Sequence, residues 1–286
     1  MTPTFGSRLA AARGALGPLC VGIDPHPSLL QQWGLADDVD GLRRFALTVV
    51  EAVAGVVPAI KPQSAFFERH GSRGVAVLEE VVAAGRSAGT LVVVDAKRGD
   101  IGSTMDAYAD AYLRDGASLA GDALTVSPYL GFGSLRPAVE LAAATGRGLF
   151  VLALTSNPEG ASVQHARAAD GRSVAAQVAH EAALLNAAEL ASTGGTLGSV
   201  GLVVGATIGD AAARLGLDLA AVRGPLLAPG VGAQGAGPAE LTAVFGDARS
   251  AVLASSSRGV LSAGPTVDGL RGAAQRARDE AAAALG

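Results

Sequence analysis

Eight short apolar runs recur along this chain, at 19–24, 57–61, 90–95, 122–126, 148–153, 199–205, 225–229 and 251–255, with longer stretches of helical period between them. That alternation is the mark of βα units stacked into a parallel sheet. Eight such units in 286 residues suit an α/β fold of the closed (β/α)8 TIM barrel type, for which roughly 250 residues is typical. The expectation is one barrel domain spanning 1–286. An open doubly wound sheet is the alternative, although no Gly-x-Gly-x-x-Gly follows the first run.

The composition supports a large core, with 49% hydrophobic and 17% charged residues. Aromatics make up only 4%, so Val, Leu, Ile and Ala must fill the interior. A formal charge of −4 provides no broad basic field of the kind nucleic-acid binders use, so no nucleic-acid partner is expected and any anionic ligand must be caught locally. The start lacks an apolar signal region and nowhere do 18 uncharged apolar residues run together, which points to a cytoplasmic protein without a membrane partner. Cys20 is the single cysteine; it allows no intramolecular disulfide and reads as a small core residue.

Among the intervening segments, Leu42, Phe45, Ala46, Val49, Val50 and Val53 trace one helical face, and Met105, Tyr108, Ala109, Tyr112 and Leu113 another. Ser103 followed by Asp106 predicts a capping-box start for the second helix. Val267 to Leu285 reads as a closing helix. The polar stretch from Thr155 to Arg172 is too long for a plain connection and is an inserted loop or lid. "STGGTLGS", 192–199, has the look of a flexible joint. Trp33 and the Phe66–Phe67 pair read as packing, and His26, His70, His165 and His180 show no metal-ligand spacing.

In a barrel, chemistry gathers at the C-terminal ends of the strands. The first run ends in Asp24, the second in Lys61 within "AIKPQSAFFE", and the third opens "VVVDAKRGDIGST" with Asp95, Lys97 and Asp100. Strand side chains alternate, so Asp95 and Lys97 share a face, about 6.6 Å apart along the backbone. Asp100 comes after a turn eased by Gly99 and need not share their pocket. A salt-bridged strand end is one reading of this triplet and an assembled charged site is the other.

The last two strands carry a separate signal. Barrels commonly hold phosphate with the loops after strands seven and eight. "APGVGAQG" lets backbone N–H groups approach an anion and adds the Gln234 amide. "SSSRG" offers the planar fork of Arg258 beside Gly259. Together these make a phosphorylated small molecule the leading ligand.

With these motifs in place, "VVVDAKRGDIGST" resembles the signature of the orotidine 5′-phosphate decarboxylase family. "VGIDP", "IKPQSAFFE", "TVSPYLGFGSL", "TSNPE", "APGVGAQG" and "SSSRG" extend the similarity over most of residues 19–259, toward the family's longer-chain bacterial (type 2) branch. The resemblance implies decarboxylation of orotidine 5′-monophosphate to UMP and CO2 in pyrimidine biosynthesis, with no metal and no organic cofactor. It implies an alternating array of Lys61, Asp95, Lys97 and Asp100. Asp24 and Lys61 would hold the ribose hydroxyls, Ser156 would meet the pyrimidine amide edge, and Gln234 and Arg258 would grip the phosphate.

In that family Asp100 and Thr104 would enter the neighbouring subunit's site, making a homodimer the active form. Many relatives have Asn where Ser127 stands, so Ser127 is given no role. Two rival readings stay open: a hexulose-phosphate synthase type aldolase, which shares the Asp-x-Lys-x-x-Asp layout but recruits Mg²⁺, and a phosphometabolite-binding barrel without catalysis.

Overall fold

A computed structural model describes residues 3–231 and 235–285. Its eight strands are β1 (Leu19–Ile23), β2 (Ala59–Pro62), β3 (Leu91–Arg98), β4 (Ala123–Val126), β5 (Gly148–Leu154), β6 (Val200–Val204), β7 (Leu226–Pro229) and β8 (Val252–Ser256). They pair in parallel and in chain order, and β8 closes on β1 through Leu19–Ala254 and Cys20–Ser255. Each strand lies on one of the eight apolar runs. The sheet is closed, which removes the open-sheet alternative.

The strands are apolar on both sides because both sides are covered. On β1, Leu19, Val21 and Ile23 pack in the outer core with the helices, whereas Cys20 belongs to an inner cluster with Ala59, Leu91, Val93, Ala123, Phe150, Leu227 and Leu253. Cys20 is fully buried, and burial pushes its thiol up to about 12. Outside, the helix Val39–Val53 buries the predicted stripe of Leu42, Phe45, Ala46, Val49, Val50 and Val53, and its N-terminus is capped by Asp38, whose carboxylate accepts the Gly41 N–H at 2.8 Å. The helix Val267–Leu285 stands where expected. Trp33 packs on Phe45 with ring centroids 4.1 Å apart. Among the described residues, no helix is long and apolar enough to cross a membrane.

The helix Phe5–Leu16 precedes the barrel and plugs its N-terminal end. Phe5 and Leu9 are wholly buried in the inner cluster, and the Phe5 ring meets Phe150 edge-on at 6.0 Å. Gly148 leaves the space this ring occupies, since a Cβ there would collide with it. Arg8 ties the helix to the barrel through an ion pair with Asp122 and a 2.9 Å hydrogen bond to the Gly146 carbonyl.

Two local expectations need correction, at the helix after β3 and at 192–199. The helix after β3 runs Gly102–Leu113, with Ile101 at its N-cap and no side-chain cap. Ser103 already lies inside the first turn, where its backbone cannot take the extended form a cap requires. Residues 192–199 are not a flexible joint: Gly194 ends the helix Val174–Thr193 in the left-handed conformation, and Ser199 is buried, its amide and hydroxyl both donating to Glu189. Gly198 is needed there because a Cβ would run into Asn186. The stretch from Thr155 to Arg172 contains a 3-10 turn and the short helix Ala161–Gln164. Gln164 folds it back onto the barrel, accepting the Thr155 N–H at 2.8 Å and donating to the Thr155 hydroxyl at 2.7 Å.

Candidate active site

The inward faces of the strands change character at their C-terminal ends. Two residues beyond Ala59, Val93, Ala123 and Leu253 stand Lys61, Asp95, Thr125 and Ser255, all buried. The period of two that builds the apolar interior therefore also aims these polar groups into the top of the barrel. Asp95 is the hub. Its Oδ2 lies 2.6 Å from Lys61 Nζ, and its Oδ1 lies 2.6 Å from Lys97 Nζ and accepts the Thr125 hydroxyl at 2.8 Å.

Charge in this position is stable because it is paired. Burial raises the Asp95 pKa, but Lys61 and Lys97 outweigh it and hold the carboxyl at about 2. Burial likewise disfavours the Lys61 ammonium, yet Asp95 and Asp24 reverse that, and the net shift is upward. The two lysines differ in access. The Lys61 side chain is 7% exposed and that of Lys97 43%, so Lys61 is held at the floor of the site while Lys97 has the wider access to a ligand.

Lys97 sits at a backbone irregularity. Its φ of +48° is rare for a residue with a side chain, and β3 shifts register against β4 between Val94 and Arg98. Such a conformation costs on the order of 1–3 kcal/mol and persists only where neighbours enforce it. Thr125 Oγ1 accepts the Lys97 N–H at 2.9 Å, and Gln63 receives Lys97 Nζ at 3.3 Å while donating to the Asp95 carbonyl at 3.1 Å. Just beyond, Arg98 pairs with Glu68 and donates to the Tyr112 hydroxyl at 3.1 Å, fastening the strand end to two helices. Gly99 serves close approach rather than a left-handed turn: a Cβ would collide with the Ser127 carbonyl oxygen.

Asp24, Lys61, Asp95, Lys97, Arg258 and Gly259 line one cleft of about 630 Å³, together with Gln63 and Ser255–Ser257. Asp24 brings a buried Oδ1 with no hydrogen-bond partner among the described residues, an acceptor suited to a ligand hydroxyl. Arg258 follows β8 and stands at the cleft's exposed side. After β7, the Ala236 N–H donates to the Gly230 carbonyl at 2.8 Å. Gln234 lies outside the described residues.

Asp100, Thr104 and Ser156 do not line this cleft. Asp100 is half-buried and accepts the Ile101 N–H at 2.8 Å, whereas Thr104 and Ser156 are exposed. Among the described residues, no group of three or more His, Cys, Asp or Glu side chains is placed to hold a metal ion. Two participants escaped sequence reasoning, Thr125 and Gln63. The available signal was positional: Thr125 continues the inward alternation from Ala123, and Gln63 follows Lys61 by two.

A cationic cleft with a carboxylate clamped between two ammonium groups, facing an arginine across a barrel mouth, fits the expected family, and residues 17–272 match the family model described as "Orotidine 5'-phosphate decarboxylase / HUMPS family". The chain belongs to this family. A relative named orotidine 5'-phosphate decarboxylase from Salinispora tropica is 62% identical over 282 residues, covering 99% of this chain and 98% of the relative. One of the same name from Streptomyces coelicolor is 62% identical over 272 residues, 95% of each chain. Among solved structures, one from Streptomyces avermitilis superposes with a TM-score of 0.93 at 62% identity, covering 99% of this chain and 96% of its own. The OMP decarboxylase of Leishmania donovani superposes with a TM-score of 0.75 at 33% identity, covering 99% of both chains. Membership of the orotidine 5'-phosphate decarboxylase / HUMPS family agrees with the resemblance carried by 92–104 and its companion motifs.

Proposed function

We propose that this chain decarboxylates orotidine 5′-monophosphate to UMP and CO2, using its own side chains and no cofactor. One observation supports the reading: Asp95 is held ionised between Lys61 and Lys97, at 2.6 Å from each, and of these two cleft-lining ammonium groups Lys97 is the more exposed. Substrate would lie with its phosphate at Arg258 and the Gly259 backbone, joined by Gln234, and its ribose at Asp24 and Lys61. Ser156 would approach the amide edge of the pyrimidine from the segment after β5.

Breaking the bond from C6 to its carboxylate leaves the electron pair on C6, in an orbital the ring cannot delocalise well. The Lys97 ammonium opposes that developing charge, and its N–H proton then moves to C6 as the H6 of UMP. Neutral Lys97 regains a proton from water. Asp95 repels the substrate carboxylate until CO2 departs. The Lys61 charge beside Asp95 keeps that carboxylate ionised throughout. Phosphate contacts remote from C6 supply binding energy for orienting the ring.

Completion of the site would come from a second copy. Asp100 and Thr104 do not line their own cleft, and Ile101, next to Asp100 in the chain, is an exposed apolar side chain, as are Tyr129 and Leu130. A homodimer that buries these side chains would carry both residues into the partner's cleft and add the second aspartate of the charged array.

Incubation of the protein with orotidine 5′-monophosphate, following loss of its ultraviolet absorbance, tests the activity directly. Turnover that withstands EDTA supports the reading, and turnover restored only by Mg²⁺ favours the aldolase-like site instead. Against the latter stands the occupancy of Asp95, whose two oxygens are already taken by Lys61, Lys97 and Thr125.

A further inference from the structure

Away from the cleft, at the opposite end of the barrel, a cavity of about 640 Å³ lies beneath the starts of β1, β6, β7 and β8. Its volume nearly equals that of the cleft. Three arginines line it, Arg13 on the plugging helix, Arg223 just before β7 and Arg249 just before β8, the last donating to the Gly246 carbonyl at 3.1 Å and to the Thr242 hydroxyl at 3.3 Å. Among the described residues the one carboxylate in the lining, that of Asp247, pairs with none of them.

Three arginines with no ion-pair partner among the described residues, outnumbering the one carboxylate in the same lining, gather in one concavity of a chain whose net charge is −4 and favour an anion there. Two further features mark the place. Arg13 gives one terminal nitrogen to the Ser250 carbonyl, but its Nε is buried with no partner among the described residues. Arg223 takes a φ of +50°, a strained backbone that a residue with a side chain adopts only under constraint. The Gly198 N–H donates to its carbonyl at 2.8 Å, which fixes that turn and leaves the exposed side chain at the cavity edge.

We propose that this cavity is a second anion site, distinct from the cleft, that takes a phosphorylated small molecule of nucleotide size. Its phosphate engages Arg13, Arg223 and Arg249, whose planar forks suit phosphate oxygens. The remainder of the molecule lies on the apolar lining formed by Ala10, Leu197 and Leu219. The proposal stands independently of the reaction carried out at the other end of the barrel.

Calorimetric titration with AMP and with inorganic phosphate tests it, using the full chain carrying Arg258→Ala to weaken the cleft's own phosphate contact. One AMP should bind per chain, more tightly than phosphate alone. Adding Arg223→Asn, which tolerates the left-handed backbone, or Arg249→Gln should weaken AMP at least tenfold with the melting temperature unchanged. Both side chains reach the surface, so neither variant endangers folding as loss of Arg13 would. Absence of AMP binding, or AMP binding that neither variant moves, overturns the site. Phosphate binding as tight as AMP overturns its nucleotide size.

Discussion

Lys97 takes its left-handed backbone turn against Thr125, whose hydroxyl oxygen accepts the Lys97 N–H at 2.9 Å. The same hydroxyl donates to Asp95, so one β4 side chain fixes both the position of the open ammonium group and the carboxylate beside it. Thr125→Val should therefore lower kcat by roughly 10- to 100-fold, the equivalent of about 1–3 kcal/mol for an unsatisfied buried partner. KM should change little. Thr125→Ser should restore most of the loss, and equal defects in both variants would show that the methyl packing, not the hydroxyl, matters.

Removing Lys97 takes away the proposed proton donor but leaves the Asp95–Lys61 pair intact. Lys97→Ala should hold kcat below a few per cent of the wild-type value while the protein still binds UMP, as measured by calorimetry. Retention of more than that fraction would assign the proton to another group.

Arg258→Ala should act through binding energy instead. The expected loss is roughly 2–4 kcal/mol in kcat/KM, and part of it should appear in kcat because a remote phosphate contact helps to orient the reacting ring. An effect confined to KM would mean that the contact serves uniform binding alone.

Asp95 also links stability to pH. Its folded pKa of about 2 lies below the ordinary value of 3.8, so the folded state favours the ionised form. The resulting stabilisation, about 2 kcal/mol, is complete above the unfolded pKa and is lost as pH falls through the folded one. Chemical denaturation of wild type and Asp95→Asn between pH 5 and pH 2 should show the difference between them narrowing toward the acid end. At neutral pH the variant should be the less stable, since Lys61 is left buried without its nearest partner.

A shared active site predicts complementation. Lys97→Ala and Asp100→Ala, each nearly inactive alone, should recover activity after mixing and subunit exchange, because one cleft of the mixed dimer then has every group. No recovery despite exchange, verified by mass spectrometry of differently tagged chains, would place Asp100 outside the neighbouring site.

Much of the architecture was legible because strand burial on both faces writes itself as unbroken apolar runs, and all eight were visible. Asp24, Lys61, Asp95 and Lys97 were legible as well, standing where those runs stop. Thr125 was not, since a threonine within a strand acquires its role only from the residues that β3 places beside it. The plugging helix was hidden by its composition: between Phe5 and Leu9, its two large fully buried side chains, lie Gly6, Ser7 and Arg8, which trace no apolar stripe. The bend at Lys97 was also unreadable, because regular alternation is the expectation until the register with β4 is known. Glycines misled at 192–199, where they permit tight packing rather than motion.

The apolar plug formed by Phe5 and Leu9 has an electrical consequence for the charges at the far end. With hydrocarbon beneath Lys61 and Asp95, their fields can be screened by water from the mouth alone. A nucleotide seated across that mouth shuts off the one route by which solvent damps them. In the proposed reaction, binding would thus strengthen the pull of Lys97 on a neighbouring electron pair, without any group in the barrel having to move.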